Sequence, residues 1–498
     1  MKRIKVFLLN GCILTITSLL MRIIGMSFNV YISNKIGTEA VGVFQLIMSI
    51  YMFFITFACS GINLATTNII SEQLAYGLES GIKKATKKCI IYSLIMGSLA
   101  CIALFIFSPT ISFYWLHNKV SSMSLKIIAI SLPFISVSSC INGYFCALKK
   151  IKRTATIKVI EQFFKILLIM FLFNYFLPSG LEYSLISLVL GSTISEILSF
   201  LLLYFTYMLD KKKLDSKGFA DTNYTKHILK ISVPISITSY IRSGLSTLKQ
   251  ILIPMQLEKS GMSCDIALSK YGIINGMVMP LILFPFSLIS SFSELLIPEF
   301  SYFNAKKDYT KINFSISKIL KFCFIFSFLI MGFFWCFSNE LSILVYQKIE
   351  ISNFIKLLSP LIVLIYIDNI VDSILKGLNK QVSVMGINIL DLFTSISFIY
   401  FLLPIQGIKG YIIVLFISEI INGLLSFFIL LKETKLKIDF SNWIIKPLFS
   451  VIFLNLIFSY LNHTNELLEF IFYIVIFTIF YFIILILSRG LVKKDIRF

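Results

Sequence analysis

A small set of residues has the type and placement to do chemistry inside a long apolar chain: Arg22, Arg242, Lys249, Glu196, Glu419, Asn388, Asp391 and Thr394. The ionisable ones fall in hydrophobic runs, where a charge costs about 2.5–3.5 kcal/mol on insertion scales. Arg22 stands mid-way along the first run and Arg242 mid-way along a later one. Lys249 follows Arg242 by seven residues, so the two share a helix face. Guanidinium and ammonium groups at that depth suit an anionic headgroup, and arginine can grip a phosphate through two parallel hydrogen bonds. Internal ion pairs are the other reading. Thr17, Ser18, Ser239, Ser243 and Ser246 add hydroxyls along the same helices, for binding or for packing.

The tetrapeptide ISEI occurs twice, at 194–197 and 417–420, and places Glu196 and Glu419 in the middle of apolar runs. Each glutamate either pairs with an arginine or hydroxyl of its own bundle or takes a proton or sodium ion. In NILDLFTS, Asn388, Asp391 and Thr394 or Ser395 step along one helix face. One carboxylate with amide and hydroxyl oxygens suits a hard monovalent cation such as sodium. Glu161 and Lys165, four apart in the favourable order, read as an internal pair. Asp372 with Lys376 reads the same way near a helix end, while Asp368 lies deeper.

These residues need membrane helices to position them. The chain has 498 residues, 57% hydrophobic and 14% charged, more apolar surface than a soluble core of this size can hide. About 20 apolar residues cross a bilayer as a helix. Fourteen such segments are expected, from 6–32 and 41–68 at the start to 443–461 and 467–488 at the end. Most of the 45 Lys and Arg, which set the formal charge of +20, fall in alternate loops. That is the positive-inside pattern and puts both termini in the cytoplasm. The charge then serves topology and contact with anionic membrane lipids, not nucleic acid.

No Gly-rich phosphate loop, HExxH or GxSxG is present, so no enzyme and no direct ATP drive is expected. The nine Cys are scattered and the three His are far apart, which argues against a disulfide framework, a metal cluster or a bound cofactor. Coupling to sodium, to protons or to the membrane potential is the expected drive. Pro234, Pro254, Pro280, Pro285 and Pro298 crowd the seventh and eighth spans, the place to expect a moving gate.

The chain also repeats itself. Leu148 of LKK matches Leu378 of LNK, Glu161 falls on Asp391, LP at 177 on LP at 403, and ISEI on ISEI. Matches in order at slowly drifting offset imply two homologous six-helix bundles. The expected division is an N-terminal lobe 1–208, a polar linker 209–226, a C-terminal lobe 227–431, and 432–498 with two further helices and a basic tail. Parallel repeats of this kind suit a transporter with its substrate site between them. The fold class is thus all-α and integral to the membrane.

Three stretches carry a family resemblance. LMRIIGMSFNVYISNKIGTEAVGVFQLIMSIYMFF, NGYFCALKKIKRTATIKVIEQFFKI from Asn142, and LKGLNKQ from Leu375 resemble the stage V sporulation protein B group of polysaccharide transporters. That group belongs to the multidrug/oligosaccharidyl-lipid/polysaccharide exporter superfamily. The resemblance implies an alternating-access flippase, similar to MurJ-like lipid II flippases, that moves an undecaprenyl-pyrophosphate-linked sugar to the outer leaflet. It implies a role beside cell-wall synthesis machinery, for spore cortex. It also implies anion-binding arginines, which Arg22 and Arg242 resemble in placement. A sodium site on helices seven and eleven is implied too, to which Asn388, Asp391 and Thr394 correspond, although helix seven has no carboxylate before Glu258. A cation-coupled multidrug antiporter of the same superfamily is the alternative, kept by Glu196, Asp391, Glu419 and the many Phe.

Overall fold

Long apolar runs with few internal breakers leave the backbone one way to satisfy its polar groups in hydrocarbon, which is the helix. The computed structural model describes residues 2–115, 122–212, 223–434, 436, 438–458 and 467–491. Among the described residues all regular structure is helical. Residues 213–222, most of the expected linker, and the basic tail 492–498 lie outside them.

Eight stretches of described residues are long and apolar enough to cross a membrane, or nine if the bent pair Ile349–Leu358 and Leu361–Gly377 is one span. The expected fourteen are therefore not confirmed. Two of the eight, Leu20–Ala75 and Gln381–Thr434, run to 56 and 54 residues. A helix of that length measures about 80 Å, against a hydrocarbon core of about 30 Å. Both are broken inside, at Gly37 and Gly61 in the first and at Gly407 in the second. One apolar element here therefore holds more than one bilayer thickness. The chain is an all-α, multi-pass membrane protein. Many large apolar side chains remain exposed on its helices, Leu167, Phe401 and Phe472 among them, as a lipid-facing surface requires.

Turn positions recur. Left-handed backbone occurs at Gly37 and Gly261, Gly77 and Lys307, Lys149 and Asn379, and Gly180 and Gly407. The members of these pairs lie 224, 230, 230 and 227 positions apart, close to the offsets of the sequence repeat. An ion pair recurs with them: Lys150 Nζ lies 2.7 Å from Asp210, and Lys380 Nζ 2.8 Å from Glu433.

By contacts the chain forms two compact units. Unit 1 is Met1–Phe28 with Ile36–Met255, and unit 2 is Asn29–Lys35 with Gln256–Phe498. In unit 1, the helix Tyr224–Lys259 contributes a stripe of hydroxyls at helical spacing. Ser236 donates to Ser60 O at 3.0 Å, Tyr240 to Phe57 O at 3.1 Å, and Thr247 to Ser49 O at 3.1 Å. Ser243 bonds Thr56 Oγ1 at 3.2 Å, and Ser232 bonds the Tyr92 hydroxyl at 3.3 Å. Gly61, at φ 74°, permits the crossing, since a Cβ there would meet the Ser232 backbone at 2.7 Å. In unit 2, Asn29 and Asn34 donate to the carbonyls of Gly276 and Val345. The last two helices dock through rings at the end of helix Tyr309–Cys336, where Phe337, the next residue, lies 5.8 Å from Phe458 and from Phe477.

Candidate functional site

The hydroxyl stripe fixes the roll of helix 224–259 and so decides where its charges go. Arg242 is off the stripe and exposed. Arg22, on the helix Lys2–Cys59, is exposed as well. Among the described residues neither has a hydrogen-bond or ion-pair partner. Lys249 shares the Arg242 face and is half-buried. All three belong to unit 1. Ser239 and Ser243 do not serve these cations: Ser239 returns to the Ile235 carbonyl at 2.9 Å and Ser243 meets Thr56.

Glu196, on helix Leu181–Lys211, is within electrostatic reach of Glu161, Lys165 and Lys158 on helix Ile151–Phe176. Ser199 lies beside Glu161. Glu161 and Lys165 thus share a cluster with a second carboxylate, a grouping that the four-residue spacing alone leaves out.

The side chains of the second candidate cluster each make hydrogen bonds of their own. Asp391 Oδ1 accepts from Ser418 Oγ at 2.6 Å, and Ser395 Oγ lies 2.8 Å from that hydroxyl. Thr394 donates to the backbone oxygen of Asp391 at 2.9 Å. The Asn388 amide donates to Val384 O at 2.9 Å and reaches Asp372 Oδ2 at 3.4 Å. Asp372 also accepts from Ser426 at 3.1 Å. Glu419 lies one turn of helix from Asn422 and lines, with Asp368, a cavity of about 790 Å³ walled by Phe324, Phe328, Phe428 and Trp443. In unit 1 an almost wholly apolar cavity of about 580 Å³ is lined by Phe53, Phe54, Phe57, Tyr114 and Trp115. Among the described residues no three His, Cys, Asp or Glu converge as metal ligands.

Two features escape the sequence reading. Asp210 is 2% exposed and accepts from Tyr144 at 3.1 Å, from Lys150 on both oxygens at 2.7 Å, and from Arg153 at 3.0 Å. Its signal was available, because Lys150 and Asp210 have Lys380 and Glu433 at the repeat offsets. Asn422 is the other. It matches Ser199 at the ISEI offset, and its amide donates to Asp368 Oδ2 at 2.9 Å.

The sequence profile described as polysaccharide biosynthesis protein matches residues 7–304, more than half of the chain. The chain belongs to that family. Within it, the chain is homologous to stage V sporulation protein B of Bacillus subtilis (strain 168), with 25% identity over 418 residues, 82% of this chain and 80% of that protein. It is 21% identical over 343 residues to lipid II flippase MurJ of the same organism, 63% of this chain and 61% of that protein. A profile described as MatE matches residues 260–401. A solved structure of lipid II flippase MurJ in an inward closed conformation shares the fold, with TM-score 0.73 at 16% identity over 95% of this chain and 98% of that one. So does an inward-facing multidrug resistance MATE family transporter of the MOP superfamily, with TM-score 0.63 at 15% identity over 84% and 99%. This family member therefore has the fold of that superfamily.

Proposed function

We propose that this family member is a membrane flippase or exporter that moves a polyprenyl-pyrophosphate-linked sugar of the lipid II type by alternating access. The observation that carries the reading is the pair of exposed arginines, Arg22 and Arg242, on long helices of unit 1, which have no partner among the described residues. A cation held at that depth is costly and is retained where it meets an anion. A pyrophosphate needs that charge to replace its lost hydration, while its lipid tail stays in hydrocarbon. Lys249 adds a third cation on the Arg242 face. The names of the relatives, a sporulation protein and a lipid II flippase, support the same substrate class. On this reading the lobes 1–208 and 227–431 rearrange during transport and both termini are cytoplasmic. Anionic lipids contact the basic loops, and the product feeds cell-wall synthesis, including spore cortex. Glu196, Glu419 and the Asn388, Asp391 and Thr394 group are the coupling candidates for sodium, protons or membrane potential.

A cation antiporter is the second reading. It is favoured by the aromatic cavity that holds Asp368 and Glu419 and by the MatE match. Proteoliposomes loaded separately with lipid II and with a lipophilic cationic dye decide between them. Translocation of lipid II without dye efflux supports the flippase; dye efflux without lipid II movement overturns it.

A further inference from the structure

Asp368 and Asn422 leave two acceptors without a donor. The amide of Asn422, on the helix Gln381–Thr434, donates to Oδ2 of Asp368, on Leu361–Gly377, at 2.9 Å. Oδ1 of Asp368 and Oδ1 of Asn422 are both buried and have no hydrogen-bond partner. Asn422 is 7% exposed, and Asp368 is half-buried at the cavity wall. Buried oxygens in native proteins are normally satisfied, and a pair of orphans on the two partners of one bond calls for a chemical reason.

A carboxylate has no hydrogen to give and an amide oxygen can only accept. A single proton on Oδ1 of Asp368 supplies what both lack. A carboxylic acid and a primary amide close a ring with two bonds, the amide N–H to one acid oxygen and the acid O–H to the amide oxygen. One of those bonds is already made. We propose that Asp368 and Asn422 form a proton-binding site in unit 2, an acid–amide pair in which Asp368 carries the proton.

The charges around the pair fit this assignment. Asp372 and Lys376 follow Asp368 on its own helix, and Asp391 and Glu419 face it from helix 381–434. Helix Tyr309–Cys336 and the segment beginning at Phe440 bring Phe324, Phe328 and Trp443 to the same cavity, none of them charged. Helix Phe286–Ala305 reaches the next residue, Asn369, through the neutral Ser293 hydroxyl at 2.8 Å. Among the described residues, one ammonium thus stands with three further carboxylates. The site is distinct from the Asn388, Asp391 and Thr394 group, whose side chains make hydrogen bonds of their own. It bears on the proposed transport only as a coupling device, and the pair can be tested with no substrate present.

The test is infrared spectroscopy of the full-length protein in nanodiscs, titrated with acid and base in choline buffer. Wild type should show, at neutral pH, the carbonyl band of a hydrogen-bonded carboxylic acid that Asp368→Asn lacks. Asn422→Leu keeps the acid but removes its acceptor, so the same band should move to the position of a free acid. A neutral-pH spectrum unchanged by both variants overturns the proposal. So does a wild-type spectrum with no protonated carboxyl band.

Discussion

Arg242→Ala removes a guanidinium that is exposed and, among the described residues, unpaired. Its two consequences can be worked separately. If Arg242 neutralised a buried carboxylate, its loss would cost about 3–5 kcal/mol of stability. No such partner is described, so the change should behave as a surface substitution, within about 0.5 kcal/mol. A bidentate, charge-assisted bond to a phosphate is worth about 1.5–3 kcal/mol. At about 1.4 kcal/mol per factor of ten, that is roughly a 10- to 150-fold loss of apparent affinity for the lipid-linked substrate. The assay is lipid II translocation against substrate concentration in proteoliposomes, beside the thermal midpoint of the same protein in detergent. Arg22→Ala should behave alike, and Arg242→Lys should fall between, since it keeps the charge and loses the fork. A lowered midpoint would refute the argument by revealing a structural partner. Unaltered translocation in both alanine variants would refute it from the other side.

The Asp210 cluster predicts an asymmetry. Removing Lys150 and Arg153 together orphans a buried carboxylate and should cost about 3–5 kcal/mol. Asp210→Asn leaves two cations that are 41% and 40% exposed to find water, and should cost about 1–2 kcal/mol. Denaturant unfolding in detergent ranks the two, and the reverse order would be fatal to the argument. Lys307 is left-handed at φ 55° where Gly77 stands at the repeat offset. Lys307→Gly should therefore stabilise by about 0.5–1 kcal/mol, net of the chain entropy of glycine. Gly407→Ala should cost about 1–3 kcal/mol, because φ 57°, ψ −132° is open to glycine almost alone and Met262 Cε would lie 3.1 Å from the new methyl. Just before the helix at Phe440, Asp439 accepts from the Asn442 side-chain amide at 2.6 Å and its backbone N–H at 3.2 Å. That amide, then the backbone N–H, Lys321 and Lys446, hold its carboxyl below the ordinary value. Stability from a depressed carboxyl is present above the unfolded pKa of about 3.9 and is lost as pH falls through the folded value. Midpoints of wild type and Asp439→Ala should differ at pH 6 and converge under acid.

The apolar runs made the helices legible, because in hydrocarbon the backbone has no other open-chain solution. The breaks were less so. Residues 41–68 read as one span, yet the helix ends at Cys59 and restarts at Ile62, because Gly61 yields to the Ser232 backbone. In 269–297 the prolines announced irregularity, and the structure has a π-helical stretch at Gly272–Val278 and a turn before Phe286. Its carbonyls are taken by distant side chains: Asn29 bonds Gly276 O and Tyr346 bonds Met277 O. Such long-range partners leave no local pattern. At the candidate sites, Arg22, Arg242 and the ISEI glutamates stand out because charge in an apolar run is conspicuous. Asn422 and Asp210 do not, one being uncharged and the other at the edge of a run. What marks them is the partner across the helix contact, Asp368 in one case and Lys150 in the other.

The membership of the two units has a consequence for the chain as it is made. Unit 1 includes the helix that starts at Tyr224 as far as Met255, well past the residue where the first sequence repeat ends. Its hydroxyls complete the bonds to Ser49, Phe57 and Ser60. Unit 2 borrows Asn29–Lys35, synthesised long before Gly276 and Val345, which Asn29 and Asn34 must find. A nascent chain halted near residue 210 would hold one full copy of the repeat and still lack part of its own packing. Its last contacts would have to wait for the ribosome to pass residue 255, so the first half matures only after the second has begun.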